Sequence, residues 1–152
     1  MHAAHTSSRI GVAQITYEKH FPVLAQFYLS FATNVLDAAS VSLLALTSHS
    51  NETAAITQLL HSAAAARSID ISHLQLRILD LPQAIRVLNP TAKTDIDNLP
   101  FDIGYHWGRH GTTYICLKKA FAAWYALEVL KLNHVMVTDS EARAGYLVAC
   151  NL

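Results

Sequence analysis

Two acids one residue apart, Asp139-Ser140-Glu141, directly follow the apolar run His134-Val135-Met136-Val137-Thr138. If that run is a buried strand, two carboxylates at its mouth can hold a hard divalent cation through oxygen. Such a cation can in turn grip a substrate's diphosphate. The same residues also suit a plainer purpose, because an Asp before Ser-Glu-Ala is a good cap for a short helix. Upstream, Lys118-Lys119 is the one adjacent basic pair in the chain. One lysine turned toward the ligand edge of a sheet would neutralise phosphate oxygens while the other stays solvated; alternatively both line the exposed rim of an amphipathic helix.

Other polar groups admit the same two kinds of role. Thr16-Tyr17-Glu18 and Ser48-His49-Ser50 each follow an apolar run and are expected at strand ends. His106 and His110 have metal-pair spacing on a helix, but the glycines of that stretch oppose a helix there and no third ligand of matching spacing follows, so no zinc site is inferred. Trp107 and Arg109 in that stretch can stack on or clamp a ligand, or simply plug a loop onto the core. The remaining histidines share no face. Asn51-Glu52-Thr53 matches the glycosylation acceptor pattern, which matters only for a secreted chain. No GxGxxG, GxxxxGK[ST] or GxSxG occurs, which removes a dinucleotide-binding dehydrogenase, a P-loop NTPase and a typical serine esterase from consideration.

These residues need a scaffold, and hydrophobic periodicity supplies one. Ile10 to Tyr17 reads as a strand. A helix then starts near Pro22, with Phe21, Leu24, Phe27, Tyr28, Phe31 and Val35 on one face. Asp37 to Ser40 is a turn, and Val41 to Thr47 is nearly continuous apolar, as in a strand covered on both faces. A helix opening at Ser50 or Asn51 carries Ile56, Leu59, Leu60 and Ala63; Leu74 to Leu79 alternates as a third strand, and Pro82 to Leu88 is a short helix. Periodicity stops from Asn89 to Gly111. A helix capped by Thr112 or Thr113 then runs to about Lys131, with Leu117, Ala120, Phe121, Trp124 and Leu127 inward, before the strand His134 to Thr138. The alternation predicts an α/β, Rossmann-like three-layer α/β/α structure with a mainly parallel sheet and right-handed crossovers. Ligands of such sheets bind beyond the carboxyl ends of the strands.

The chain's 152 residues make one domain, residues 9–152, after a flexible N-terminus of residues 1–8. With 52% hydrophobic residues and 14% charged, it is too apolar for disorder, and some surface is expected to be covered by an oligomer mate or another partner. Eleven basic residues balance eleven acidic ones and lie scattered, so no stripe exists to displace counterions from a nucleic acid. Cys116 and Cys150 are compatible with a reducing compartment. No signal peptide is evident, and no apolar run approaches the ~20 residues that span a bilayer, so a cytoplasmic location is the default expectation.

The blocks ITYEKHFPVLAQFYLSF and VSLLALTS, followed by LKKAFAAWYALEVLKLNHVMVTDSE, resemble the N-terminal, donor-binding half of glycosyltransferases with the GT-A fold, over residues 10–141. The resemblance implies an apparently truncated GT-A fold, incomplete relative to a family whose members continue past the acidic motif. It implies a D-x-D-type motif in which Asp139 and Glu141 are associated with Mn2+ or Mg2+, with Glu standing where the strict pattern has Asp. Ser140, Thr16, Tyr17 and Lys118 would contact the nucleotide-diphosphate sugar, Thr16 and Tyr17 at the base and Lys118, in preference to Lys119, at the phosphates or sugar. Completed by a C-terminal half, such a domain transfers the sugar to an acceptor hydroxyl. Two rivals remain open: a non-catalytic α/β interaction or assembly domain, and an unrelated hydrolase using Asp139.

Overall fold

The computed structural model describes residues 9–49, 51–88, 118–139 and 147–150. Its centre is a five-stranded sheet ordered β3-β2-β1-β4-β5, comprising β1 (Ile10–Ile15), β2 (Ser42–Thr47), β3 (Gln75–Asp80), β4 (His134–Asp139) and β5 (Leu147–Cys150). The first four strands are parallel, and β5 closes the β4 edge in antiparallel register, with His134 opposite Cys150. The α/β, Rossmann-like class expected from the alternation is therefore the fold observed. Sequence reading did not anticipate β5.

Strand alternation divides the core in two. Leu44 and Leu46 of β2, with Ala13 and Ile15 of β1 and Val135 and Val137 of β4, face one side. Leu43 and Ala45 face the other. The second side is covered by α1 (Phe21–Asn34) and α2 (Glu52–Ala66), the first by α3 (Leu81–Leu88) and by α4, which is described from residue 118 and ends in a π turn over Tyr125–Val129. Three layers result, because each parallel strand must bury both of its faces.

Local chemistry explains the helices. Pro22 sits in the first turn of α1, where a missing N–H costs nothing, and Phe21, Leu24, Ala25, Tyr28 and Leu29 form its buried stripe. Val35 lies past the helix end in extended backbone. In α2 the buried stripe is Glu52, Ile56, Leu60 and Ala64, while Leu59 turns outward.

The inner face of α4 differs from expectation. Ala122, Ala123, Tyr125 and Ala126 are buried, whereas Ala120 is exposed and Phe121, Trp124 and Leu127 are only half-buried. Small side chains let the helix backbone approach the sheet, so Phe121 and Trp124 splay outward and seal the flanks of the core while Tyr125 stays inside. The helix stops at Lys131, whose φ of 55° is left-handed, with the Leu132 N–H bonded back to Ala126 O at 3.1 Å. That is a Schellman-like ending. Asn133 then clips the start of β4 to the start of β1, its Oδ1 accepting the Arg9 N–H at 2.8 Å while its own N–H donates to Arg9 O at 2.8 Å. Expectations placed on residues 1–8, on the stretch 89–117 with His106, Trp107, Arg109 and His110, and on Ser140 and Glu141 lie outside the described residues. Among the described residues, no helix is long and apolar enough to cross a membrane.

Gly11 is the tightest point of this packing, since a Cβ there would press on the Leu132 side chain and lie 2.8 Å from Ser42 O. Ser42 O belongs to the backbone of a neighbouring strand and cannot swing aside. Gly11→Ala is therefore expected to destabilise the protein by about 1–3 kcal/mol, read as a lowered urea midpoint with an unchanged m-value.

Candidate functional site at the carboxyl edge of the sheet

The chain lays down β1, β2 and β3 in one direction across the sheet and then returns to the other side of β1 to place β4. The strand order thus reverses between β1 and β4. In open α/β sheets a ligand crevice opens at such a reversal, outside the carboxyl ends of the strands. The register pairs Ile15 with Asp139, so Thr16 and Tyr17 leave β1 beside the last residue of β4. Thr47, Ser48 and His49 leave β2 on the same edge, and Asp80 ends β3 there.

The most unusual group on this edge is Lys118. It is only 4% exposed, and its Nζ donates to Thr16 O at 3.0 Å and to Ser48 Oγ at 2.9 Å. The amine therefore joins the ends of β1 and β2 from the opposite end of the sequence. Burial pushes the ammonium down to about 8, against the pull of the Glu52 carboxylate, which raises it. Lys119, its neighbour, is half-buried. Of the two arrangements open to this lysine pair, the one with Lys118 turned to the sheet edge is what the fold adopts, with backbone and serine oxygens as its partners.

Glu52 completes the group. Although it opens α2, it is buried, and its Oε2 accepts the backbone N–H groups of Ser48 at 2.7 Å and His49 at 2.8 Å. The carboxylate thus fixes the β2–α2 turn and lies at the positive end of the helix dipole. Sequence reading took Asn51-Glu52 only as a helix opening. Asn51 makes no side-chain cap bond, and the acid beside it holds the turn by reaching backward, as a capping-box Glu does. An acid directly after a polar strand end was the signal available. Asp80 was also passed over; it is fully buried, with Oδ1 accepting the Gln83 N–H at 2.7 Å as the cap of α3 and Oδ2 3.5 Å from Thr53 Oγ1. In the Asn51-Glu52-Thr53 acceptor pattern, Asn51 itself is exposed.

Tyr17 is half-buried, its hydroxyl 2.8 Å from His20 Nε2 and the two rings 4.0 Å apart between centroids. Among the described residues, Thr16 Oγ1 is buried without a hydrogen-bond partner, as are Gln14 Oε1 and Tyr28 Oη. By strand alternation Gln14 and Thr16 share one face of β1. Burial also holds the Tyr28 phenol well above the ordinary tyrosine range. Among the described residues no three His, Cys, Asp or Glu side chains gather closely enough to hold a metal ion; of the expected acidic pair, Asp139 ends β4 and Glu141 lies outside those residues. Thr16, Tyr17, Lys118 and Asp139 thus fall on one edge of the sheet.

Comparison with protein-family models, curated proteins and solved structures finds no match for this chain.

The buried lysine gives a signed pH dependence. Unfolded, the amine returns to its ordinary value of 10.5, so between about pH 8 and 10.5 the unfolded chain binds the extra proton. Folding stability should rise with pH across that window, by about 3 kcal/mol at most, and be flat below it. Urea denaturation of the wild type and Lys118→Met across this range checks it: the difference between the two should change with pH in that direction.

Proposed function

We propose that this chain is a glycosyltransferase-like domain that binds a nucleotide-diphosphate sugar at the carboxyl edge of its sheet. The observation that carries the reading is the reversal of strand order between β1 and β4, with Ile15 in register with Asp139. A ligand lying across that reversal would meet Thr16 and Tyr17 on one side and the Asp139-Ser140-Glu141 segment on the other. The unpartnered, buried Thr16 hydroxyl adds support, because a buried polar atom calls for a hydrogen-bonding partner. Tyr17, with His20 beside it, offers a half-buried aromatic surface of the kind on which a base stacks.

Manganese or magnesium would be held by Asp139 and Glu141, and when bound would supply charge stabilisation to the departing diphosphate. A cation that keeps several waters and takes oxygens from its substrate needs only one or two carboxylates from the protein. The chain's own groups would bind and orient the donor: Thr16 and Tyr17 at the base, Ser140 near the sugar nucleotide. An acceptor hydroxyl would receive the sugar in a protein completed by a C-terminal half.

A second reading, an α/β interaction or assembly domain, is favoured by a different observation. Ile10 and Met136 lie on the same face of adjacent strands and are 46% and 40% exposed, on a sheet whose other parallel strands are covered there by α1 and α2. An exposed apolar face of this kind marks a surface that a partner or a second copy covers.

Calorimetric titration with uridine and guanosine diphosphate sugars, with and without Mn2+, separates the two. The transferase reading expects metal-dependent binding that Asp139→Asn weakens by roughly tenfold or more, the least that loss of a metal-associated group costs. Absence of binding to every donor in the presence of Mn2+ overturns it; a concentration-dependent oligomer in sedimentation, dispersed by Met136→Lys, would then put the assembly reading ahead.

A further inference from the structure

Lys118 and Glu52, like Asp80 at the end of β3, are buried charged residues at the carboxyl edge, and neither meets the solvent that a phosphate would come from: they are 4% and 5% exposed. Their hydrogen bonds go instead to the backbone and side chains that end β1 and begin the β2–α2 turn. Four elements meet in this one cluster. β1 contributes the carbonyl of Thr16, the residue after its last; β2 contributes Ser48; α2 contributes Glu52; and α4 contributes the amine.

We propose that Lys118 is a positioning residue for nucleotide binding, which acts by holding the Thr16 carbonyl and thereby the Thr16-Tyr17 segment, with Glu52 anchoring the other end of the same clasp at Ser48 and His49. The inference rests on the nucleotide-sugar reading above for its ligand and on the clasp geometry for its mechanism. Two features argue for positioning over direct phosphate contact. Two of the amine's three N–H donors go to backbone and hydroxyl oxygens at 3.0 and 2.9 Å, and the residue is only 4% exposed, so a phosphate in solvent would reach it only by displacing the groups packed over it. A neighbouring carboxylate, Glu52, also stands where an anionic ligand would need none, since the Ser48 and His49 N–H groups already have an anion. A ligand's anionic portion is thereby steered away from β2 and toward the β1–β4 reversal.

The two roles respond differently to the length of the ligand. If Lys118 acts on phosphate, Lys118→Met weakens uridine diphosphate and leaves uridine untouched; if it positions Thr16-Tyr17, both weaken by the same factor. Binding of uridine, guanosine and their diphosphates to the wild type, Lys118→Met and Lys119→Met would be measured by calorimetry in the presence of Mn2+. We expect equal losses, roughly tenfold, for nucleoside and diphosphate in Lys118→Met. Lys119→Met should bind as the wild type does. A loss confined to the diphosphate overturns the proposal.

A second measurement needs no ligand. In 15N spectra, Lys118→Met should shift the Thr16, Tyr17, Ser48 and His49 amides and hasten their hydrogen exchange, while Lys119→Met leaves them in place. Unmoved amides overturn the clasp itself. Should the wild type bind neither nucleoside nor diphosphate, the nucleotide reading fails, and with it the assigned purpose of the clasp, while the amide measurement still decides whether the clasp exists. Glu52→Gln combined with Lys118→Met should perturb these amides less than the two single changes added together, as groups sharing one network do; strict additivity would remove Glu52 from the proposal.

Discussion

A single buried ammonium holds together the part of this protein where chemistry is expected. Lys118 meets β1 through Thr16 O and β2 through Ser48 Oγ, while Glu52 binds the amides that follow β2. Desolvating a charge is unfavourable, and an apolar side chain of similar volume would commonly be as stable or more so. Removing either charge is a different matter, since it takes two hydrogen bonds from the buried strand ends: those to Thr16 O and Ser48 Oγ, or those from the Ser48 and His49 amides. The edge is thus built so that its geometry depends on both charges being present. Stability alone gives little reason to keep such a pair, which is why its place at the mouth of the sheet carries functional weight.

The sheet explains why that cluster sits where it does. With α1 and α2 on one face and α3 and α4 on the other, the strand ends are where polar side chains of the described residues meet at the rim of the layers. At the carboxyl end, the strand order reverses between β1 and β4, the position at which open α/β sheets take their ligands. Polar residues gather there because the strand bodies leave no room for them. Val12 to Ile15 and Leu43 to Leu46 are buried or half-buried throughout, and hydroxyls and charges appear as these two strands end, at Thr16 to Glu18 and at Thr47 to His49.

Much of this architecture was legible in the residues. The nearly continuous apolar run Val41 to Thr47 marked a strand covered on both sides, as β2 is, and the 3- and 4-residue spacing of Phe21, Leu24 and Tyr28 marked α1, whereas the run His134 to Thr138, expected to be buried, has Met136 40% exposed on one face of β4. Burial periodicity is a local property, so local reading recovers it. The inward face of α4 was not recovered, because hydrophobicity favoured its large aromatics while close packing on the sheet favoured Ala122 and Ala126. β5 was missed for a related reason: four residues that pair only with β4 carry too short a pattern to separate from a loop. At the site, Thr16, Tyr17 and Asp139 were found from their positions after apolar runs. The depth of Lys118 and the backward reach of Glu52 were not, since both depend on contacts across the sequence that no spacing encodes.

One feature of the sheet bears on how the molecule is made. Asn133 clips to Arg9 across a separation of 124 residues, and the whole of β4 zips onto β1 over that distance. While a ribosome is still delivering the chain, β3, β2 and β1 can already associate, leaving one side of β1 as an open ladder until β4 emerges. Contacts of such long range form slowly, and an unpaired central strand is sticky during the wait. The nascent protein is therefore exposed to aggregation in the interval before β4 emerges, and chaperone demand should concentrate there.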